Sequence, residues 1–178
     1  MKLIENTLGE LLEKWAYETP DHEFIVYPDR NLRFSYSQFN ERVDKLAKGL
    51  ISIGVKQNDK VGIWATNVPD WSTFMFATAK IGAILVTVNT SYKLSELEYI
   101  IKDADLHTLC FIDGYRDSDY VNMVFDLVPE LKTSVRGELT SSRFPDLKNV
   151  VFIGPQKHKG MYKLMSLCSL DPMFLMMR

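Results

Sequence analysis

Residues 61–88, VGIWATNVPDWSTFMFATAKIGAILVTV, decide the fold because they contain two short apolar runs separated by one amphipathic segment. The runs at 61–65 and 83–88 are rich in β-branched residues and too short for helices, so both are predicted to be buried strands. The segment between them begins after Asn67, a favourable N-cap residue, and ends at Gly82. This unit predicts two parallel strands joined by a helical crossover.

The same alternation continues towards the C-terminus. Ser95 and Glu98 have the spacing of a capping box, which predicts that a helix begins there. The remaining predicted segments are a strand at 106–112, a helix between Ser118 and Pro129, a polar irregular connection at 132–143 and a strand at 149–153.

Two capping boxes organise the N-terminal part of the chain. Thr7 with Glu10, and Ser35 with Gln38, place a hydroxyl three residues before a side chain that can bond back to the free backbone N–H. The predicted elements are a helix from Thr7 to Pro20, a β-hairpin at 24–36 with turn residues at 28–31, and a helix from Ser35 to Gly54.

Apolar strands that alternate with amphipathic helices are typical of α/β proteins. We therefore predict a largely parallel sheet with helices on both faces, plus the N-terminal β-hairpin. No repeat or low-complexity linker interrupts residues 1–178, so a single domain is expected. The Met-rich tail at 170–178 is atypical, and three interpretations stay open: a helix over a sheet edge, a dimer contact or an out-of-frame tail.

Composition and charge exclude several classes of function. The chain has 178 residues, 46% of them hydrophobic, and a formal net charge of −2, which argues against a nucleic-acid partner. Glu5 interrupts the N-terminus before any signal-peptide core, and the apolar run at 81–88 is far shorter than the roughly 20 residues of a membrane-spanning helix. Cys110 and Cys168 form no Cys-x-x-Cys pair, which favours a reducing cytoplasm.

Few residues have the spacing of a known catalytic or binding motif. The sequence lacks both common glycine-rich phosphate motifs, and the nearest imitation, at 154–160, contains Pro155 and is interpreted mainly as a solvated loop. His22, His107 and His158 have no ligand or nucleophile at a suitable spacing, and His107 is interpreted as structural. Residues predicted to pack in the core are Trp15, Trp64, Trp71 and Cys110.

The loop at 113–117, Asp-Gly-Tyr-Arg-Asp, is the most suggestive segment because it follows a predicted strand at the edge where such sheets bind ligands. Arg116 could bind a phosphate through two parallel N–H···O bonds. The alternative, which the local sequence favours, is a surface ion pair of Arg116 with Asp113, Asp117 or Asp119.

Four stretches in this order resemble one family. They are FSYSQF at 34–39, KVGIWATNVPDW at 60–71, the Gly-Ala strand at 79–89 with its Leu-Ser-Glu-Leu sequel at 94–97, and the strand at 105–113. Together they resemble the N-terminal part of the AMP-forming acyl-CoA synthetases, in the adenylate-forming (AMP-binding) superfamily, and most of all its fatty-acid-activating members. The resemblance extends over roughly residues 5–165.

The resemblance implies an N-terminal fragment of an enzyme that adenylates a fatty acid with ATP and Mg²⁺ and then transfers the acyl group to coenzyme A. In that family the phosphate loop, the adenine segment, the ribose-binding Asp and the catalytic Lys of the C-terminal domain all follow the region matched here. We therefore expect no catalytic residue, metal site or bound cofactor in this chain, and no activity of the chain alone. By resemblance, Arg116 and Gly114 are candidate coenzyme A contacts, with Arg116 near the 3′-phosphate.

Two other functions stay open at this point. One is a noncatalytic oligomerisation or interaction module that forms a homodimer or associates with the missing synthetase domains through its Met-rich end. The other is an unrelated nucleotide-binding α/β domain, which the absence of a glycine-rich phosphate motif argues against.

Overall fold

The computed structural model describes residues 5–169. Its helices and strands, in chain order, are α1 (Leu8–Glu18), β1 (Glu23–Tyr27), β2 (Leu32–Ser35), α2 (Tyr36–Ser52), β3 (Lys60–Trp64), α3 (Pro69–Lys80), β4 (Ile84–Thr87), α4 (Leu94–Asp103), β5 (Leu106–Phe111), β6 (Gly114–Tyr115), β7 (Ser118–Asp119), α5 (Tyr120–Leu127), β8 (Asn149–Phe152), β9 (Tyr162–Lys163) and α6 (Leu164–Leu167). Two short 3₁₀ turns lie at Pro28–Arg30 and Pro129–Lys132.

A five-stranded sheet in the order β4-β3-β5-β8-β9 forms the centre of the molecule. Every neighbouring pair in this sheet is parallel, which confirms the predicted parallel sheet. The central strands are mostly apolar and covered on both faces, as the exposures of 0% for Val61, Ile63 and Leu109 show. The predicted α/β class is therefore confirmed.

The helices form two layers. Helices α1, α2, α3 and α6 pack against one another, and α4 packs against α5. The crossover through α3 runs from β3 outwards to β4, whereas the crossover through α4 returns past β3 to β5. Right-handed crossovers in opposite directions place their helices on opposite faces, so the two layers cover the two faces of the sheet. The strand order also reverses at β3, which creates a topological switch point between β3 and β5.

The N-terminal hairpin and both N-terminal capping boxes are confirmed. Strands β1 and β2 pair antiparallel, joined by the 3₁₀ turn at Pro28–Arg30. The backbone N–H of Glu10 donates to the Thr7 hydroxyl at 3.2 Å, and the Thr7 N–H donates to Glu10 Oε2 at 2.8 Å. Ser35 and Gln38 make the equivalent pair of bonds at the start of α2.

Strand β4 was expected to be buried, and this prediction is wrong. It pairs only with β3 among the described strands, and the Ile84 side chain is 47% exposed. The physical reason is the reversal of strand order, because β5 takes the far side of β3 and leaves β4 at the edge of the sheet.

The predicted starts of three helices are also wrong. Helix α4 begins at Leu94, and its cap is formed by Glu96, which accepts from the Lys93 N–H. Glu98 does not cap the helix, because it binds Arg143 and Lys102. Helix α3 begins at Pro69 after Val68, whose N–H bonds to the Thr66 carbonyl, so Asn67 caps nothing. Helix α5 begins at Tyr120 with Asp119 as its cap, because Ser118 belongs to a short β-strand.

Lys80 joins the three helices of the larger layer. Its Nζ donates to Glu13 Oε1 of α1 at 2.7 Å, and to Asn40 Oδ1 and Asp44 Oδ1 of α2 at 2.8 and 2.6 Å. The Lys80 side chain is only 8% exposed, whereas those of Glu13 and Asp44 reach solvent. One ammonium group therefore uses its three donors to hold α1, α2 and α3 together.

Within residues 5–169, no helix has both the length and the apolar character needed to cross a membrane. The Met-rich tail at 170–178 lies outside the described residues, so its three interpretations stay open.

The Lys80 contacts predict a specific loss of stability. Lys80→Met keeps the apolar stem but leaves the polar groups of α1 and α2 without their cation, and we expect the free energy of unfolding to fall by about 1–3 kcal/mol. Lys45→Met is the matched control, because Lys45 bonds to Glu41 on an exposed face of α2, where solvent screening leaves an ion pair little effect on stability. Urea unfolding checks both variants, and equal losses would contradict the role of Lys80.

Glu98 predicts an acid-dependent part of the stability. Hydrogen bonds from Arg143 and Lys102 lower the pKa of Glu98 from 4.5 to about 2. A carboxylate with a lowered folded-state pKa stabilises the fold above its unfolded pKa of 4.5 and loses this effect as pH falls through about 2. We expect Glu98→Gln to flatten the unfolding free energy over this range. Glu138→Gln, at an exposed position without an ion pair among residues 5–169, is the control, and equal acid dependence in both variants would refute the assignment.

Candidate functional site

The carboxyl ends of β3, β4 and β5 meet at the topological switch point, where open α/β sheets bind ligands. Two loops converge there. One follows β4 and includes residues 88–93, and the other follows β5 and contains the antiparallel hairpin of β6 and β7. We call residues 113–119 the switch hairpin.

An aromatic stack fills the space beneath these loops. The rings of Trp64, at the end of β3, and Tyr120, at the start of α5, are nearly parallel at 11° with centroids 3.5 Å apart. Both side chains are fully buried. Trp64 Nε1 donates to the Asn89 carbonyl at 3.0 Å, and the Tyr120 hydroxyl donates to the Thr90 carbonyl. Burial raises the pKa of Tyr120 to about 12, so this donor keeps its proton at neutral pH.

The switch hairpin folds because one of its positions has no side chain. Gly114 pairs with Asp119, and a Cβ at Gly114 would collide with the carbonyl oxygen of Ser118. Tyr115 pairs with Ser118, which leaves Arg116 and Asp117 as the two-residue tip. The close approach of the two strand backbones therefore explains why glycine occupies position 114.

Arg116 occupies a backbone conformation that L-residues seldom adopt. Its φ is +53°, at the first position of a two-residue turn where glycine is favoured. A non-glycine residue in this region costs roughly 1–2 kcal/mol. Backbone strain of this kind is frequent at functional sites, and it presents the Arg116 side chain at the tip.

The acidic neighbours of Arg116 all have other partners. Asp113 Oδ1 accepts from the Gly114 N–H at 3.0 Å, and Asp119 caps α5 by accepting from the Asn122 N–H at 3.0 Å. Asp117 binds Lys93. The guanidinium carbon of Arg116 lies 5.0 Å from the centre of the Tyr115 ring, and Arg116 forms no ion pair within the described part of the chain. The expected surface ion pair of Arg116 with an Asp is therefore absent from residues 5–169.

The switch hairpin lines an open hollow of about 430 Å³, bounded by residues 113–119. Arg116 supplies a positive charge at its exposed tip. Such a surface can recognise an anionic group but contains no nucleophile paired with a base. Residues 5–169 also contain no cluster of three or more His, Cys, Asp or Glu side chains that could hold a metal ion. We assign no residue of this part of the chain to magnesium.

The other predicted residues lie away from the switch hairpin. Cys110 is fully buried in β5, as predicted, and burial strongly raises the pKa of its thiol. His107 lies 3.8 Å from Asp59, and burial lowers its pKa. In the loop at 154–160, residues 155–157 are exposed, and the His158 ring meets Phe152 edge-on with centroids 4.4 Å apart.

Of the three tryptophans predicted to be in the core, Trp64 is fully buried and Trp71 packs against the core from a half-buried position. The prediction for Trp15 is wrong. Its side chain is 40% exposed because it lies on the outer side of α1, beside Lys14 and Tyr36. His22 is also exposed and stacks on Tyr36.

Sequence reasoning missed Lys93 and Tyr120 as parts of the site. Lys93 is 24 residues from Asp117, and Tyr120 is 30 residues from Thr90, so no local spacing links these pairs. No sequence signal could have found them, because the loops after β4 and β5 are neighbours only through the strand order, which places these strands on either side of β3.

Comparison with known proteins identifies the family. The sequence profile of the AMP-binding enzymes matches residues 12–162. The chain is 46% identical over 161 residues to YngI of Bacillus subtilis (strain 168), a protein assigned as an acyl-CoA synthetase, and this match covers 90% of the chain and 29% of YngI. It is 37% identical over 151 residues to the mitochondrial medium-chain acyl-CoA ligase ACSF2 of Mus musculus, covering 85% of the chain and 25% of ACSF2.

The chain thus spans less than a third of the length of these relatives. Among solved structures, the long-chain-fatty-acid-CoA ligase FadD1 from Archaeoglobus fulgidus matches with a TM-score of 0.71 at 20% identity, over 94% of this chain and 30% of FadD1. At that identity the likeness shows the fold alone. The profile match excludes an unrelated nucleotide-binding domain. Sequence and fold agree that this chain belongs to the AMP-binding enzyme family.

Proposed function

We propose that this chain is the N-terminal part of an AMP-forming fatty acyl-CoA synthetase. In the proposed reaction of the whole enzyme, the fatty-acid carboxylate attacks the α-phosphorus of ATP and pyrophosphate leaves. The thiol of coenzyme A then attacks the acyl carbonyl, and AMP leaves. The observation that carries the proposal is the 46% identity to YngI over 161 residues.

The geometry of the switch point supports a ligand-binding role for this part of the enzyme. The reversal of strand order places two loops at one edge of the sheet, and the stack of Trp64 on Tyr120 holds one loop against the start of α5. We propose that Arg116 binds the 3′-phosphate of coenzyme A through its guanidinium group. Gly114 contributes by letting the two strands of the switch hairpin approach closely.

Adenylation itself requires groups that position ATP and neutralise charge as pyrophosphate leaves. ATP and magnesium are proposed to bind to other parts of the synthetase, because the 178-residue sequence holds no glycine-rich phosphate motif. The proposed partners of this chain are therefore the remaining synthetase domains. Nothing within residues 5–169 favours the alternative of a noncatalytic module or a homodimer.

We also propose that the protein acts in fatty acid metabolism in the cytoplasm. The free thiols of Cys110 and Cys168 are consistent with a reducing compartment. The name of the mouse relative places that protein in mitochondria.

Pyrophosphate exchange tests the proposed function. The 178-residue chain alone is expected to show no fatty-acid-dependent exchange between ATP and pyrophosphate, because it lacks the groups that neutralise the phosphates. A chimera in which the chain replaces the matched 29% of YngI is expected to regain exchange and thioester formation. YngI itself is the control. Turnover by the isolated chain, or a folded but inactive chimera, would contradict the proposal.

The role of Arg116 is tested in the same chimera. Arg116→Asn removes the charge and keeps a residue that tolerates positive φ, so the turn is preserved. We expect KM for coenzyme A to rise about 10- to 100-fold, the equivalent of one hydrogen bond to a charged group, with little change in kcat. KM for 3′-dephospho-coenzyme A should not change.

Arg136→Asn is the matched control, because Arg136 is also an exposed arginine that lies over a tyrosine ring. Its KM for coenzyme A should equal that of the unmodified chimera. An equal rise of KM for both coenzyme A forms in Arg116→Asn would show that the side chain does not read the 3′-phosphate.

A further inference from the structure

Lys93 is the one cation seen to bind the switch hairpin from another element of residues 5–169. Its Nζ donates to both carboxylate oxygens of Asp117, at 3.1 and 3.2 Å, and to the Ser118 hydroxyl at 2.7 Å. All three donors of the ammonium group are therefore used within the switch hairpin. Neither the sequence motifs nor the resemblance to acyl-CoA synthetases assigned a role to this residue.

The backbone of Lys93 is fixed at the start of α4. Its N–H donates to Glu96 Oε2 at 3.0 Å, and its carbonyl accepts from the Leu97 N–H at 2.9 Å. The loop that precedes it is held by Trp64 and Tyr120 through the carbonyls of Asn89 and Thr90. Lys93 therefore reaches the switch hairpin from a rigid support.

Asp117 is the only acid of the switch hairpin that is bound by a cation among residues 5–169, since the side-chain partner of Asp119 is the neutral amide of Asn122. Asp113 and Asp119 each accept a backbone N–H locally, whereas Asp117 binds Lys93. Asp117 also follows Arg116 directly at the two-residue tip. If Lys93 were lost, the cation left beside the Asp117 carboxylate would be its sequence neighbour, Arg116.

We propose that Lys93 is a positioning residue: by binding Asp117, it prevents an ion pair between Asp117 and Arg116 and so keeps the Arg116 guanidinium available to a phosphate group. This inference rests on the proposed function, because it takes the 3′-phosphate of coenzyme A as the ligand of Arg116. The inference adds that the affinity of Arg116 for the phosphate depends on a competition between Lys93 and Arg116 for the Asp117 carboxylate.

The electrostatics of Asp117 agree with this competition. The hydrogen bond from Lys93 is the largest cause of the lowered pKa of Asp117, and the nearby charge of Arg116 contributes least. Asp117 is thus bound mainly to Lys93 even though Arg116 is its neighbour in sequence.

The test uses the chimera with YngI, in which the remaining synthetase domains are present, and two ligands, coenzyme A and 3′-dephospho-coenzyme A, with binding followed by NMR titration of backbone amides. Lys93→Met is expected to weaken binding of coenzyme A about three- to fivefold, the range of one exposed ion pair, and to leave 3′-dephospho-coenzyme A unaffected. The double variant Lys93→Met with Asp117→Asn removes the competing carboxylate as well. This double variant is expected to bind coenzyme A within about twofold of the unmodified chimera, since no ion pair remains to compete.

Two further measurements separate this role from a structural one. Lys102→Met removes an exposed ion pair, with Glu98, on the same helix but outside the switch hairpin, so the affinity of this variant for coenzyme A should not change. The Nε–H resonance of Arg116 should shift in Lys93→Met as the new ion pair forms, and return in the double variant. The amide resonances of Tyr115 and Ser118 report whether the hairpin pairing is retained.

The outcomes distinguish the two proposals. Unchanged binding in Lys93→Met, in a chimera that prefers coenzyme A and depends on Arg116, overturns the role of Lys93 and leaves the proposed function standing. If Lys93→Met binds coenzyme A more weakly and the double variant does not restore the affinity, the proposed role of Lys93 is also overturned. Lys93 would then act on the ligand or on the fold directly. Equal binding of both ligands, or binding of neither, by the unmodified chimera overturns the 3′-phosphate assignment, and the inference about Lys93 with it.

Discussion

Right-handed crossovers on either side of β3 are the constraint on which the rest of the structure depends. The chain leaves β3 through α3 to β4 and returns through α4 to β5, so consecutive crossovers run in opposite directions. Because each must be right-handed, their helices cover opposite faces and the strand order reverses at β3. The reversal leaves a gap between neighbouring loops at the carboxyl edge, which is where a ligand can approach.

The gap is not empty, because Trp64 and Tyr120 fill its floor. Their stacked rings come from β3 and α5, and their polar atoms bind two consecutive carbonyls of the loop after β4. A buried indole N–H and a buried phenol each need an acceptor, and here that need fixes the position of a loop. The same two side chains therefore contribute to the core and order the surface above it.

Above the stack, the switch hairpin combines a strained backbone at Arg116 with aspartates that are each bound to another group. Gly114 permits the tight pairing of the switch hairpin, and Arg116 takes a left-handed conformation at its tip. Asp113 and Asp119 bind backbone groups, and Lys93 binds Asp117, so the acids around Arg116 are each satisfied by another partner. An arginine surrounded by three acids in sequence can in this way remain a site for an anion.

The sequence by itself determined the α/β class, the parallel sheet, the N-terminal hairpin and two of the helix starts, because each of these depends on local periodicity or on caps three residues apart. It also carried the family motifs, and it placed Arg116 in the loop after β5. It could not place β4 at the sheet edge or bring Lys93 to Asp117, and it misplaced the start of α5. Those features depend on which strands become neighbours. Pairing across 24 or 30 residues is decided by the direction of the crossovers and by the burial of Trp64 and Tyr120, which only the tertiary structure sets.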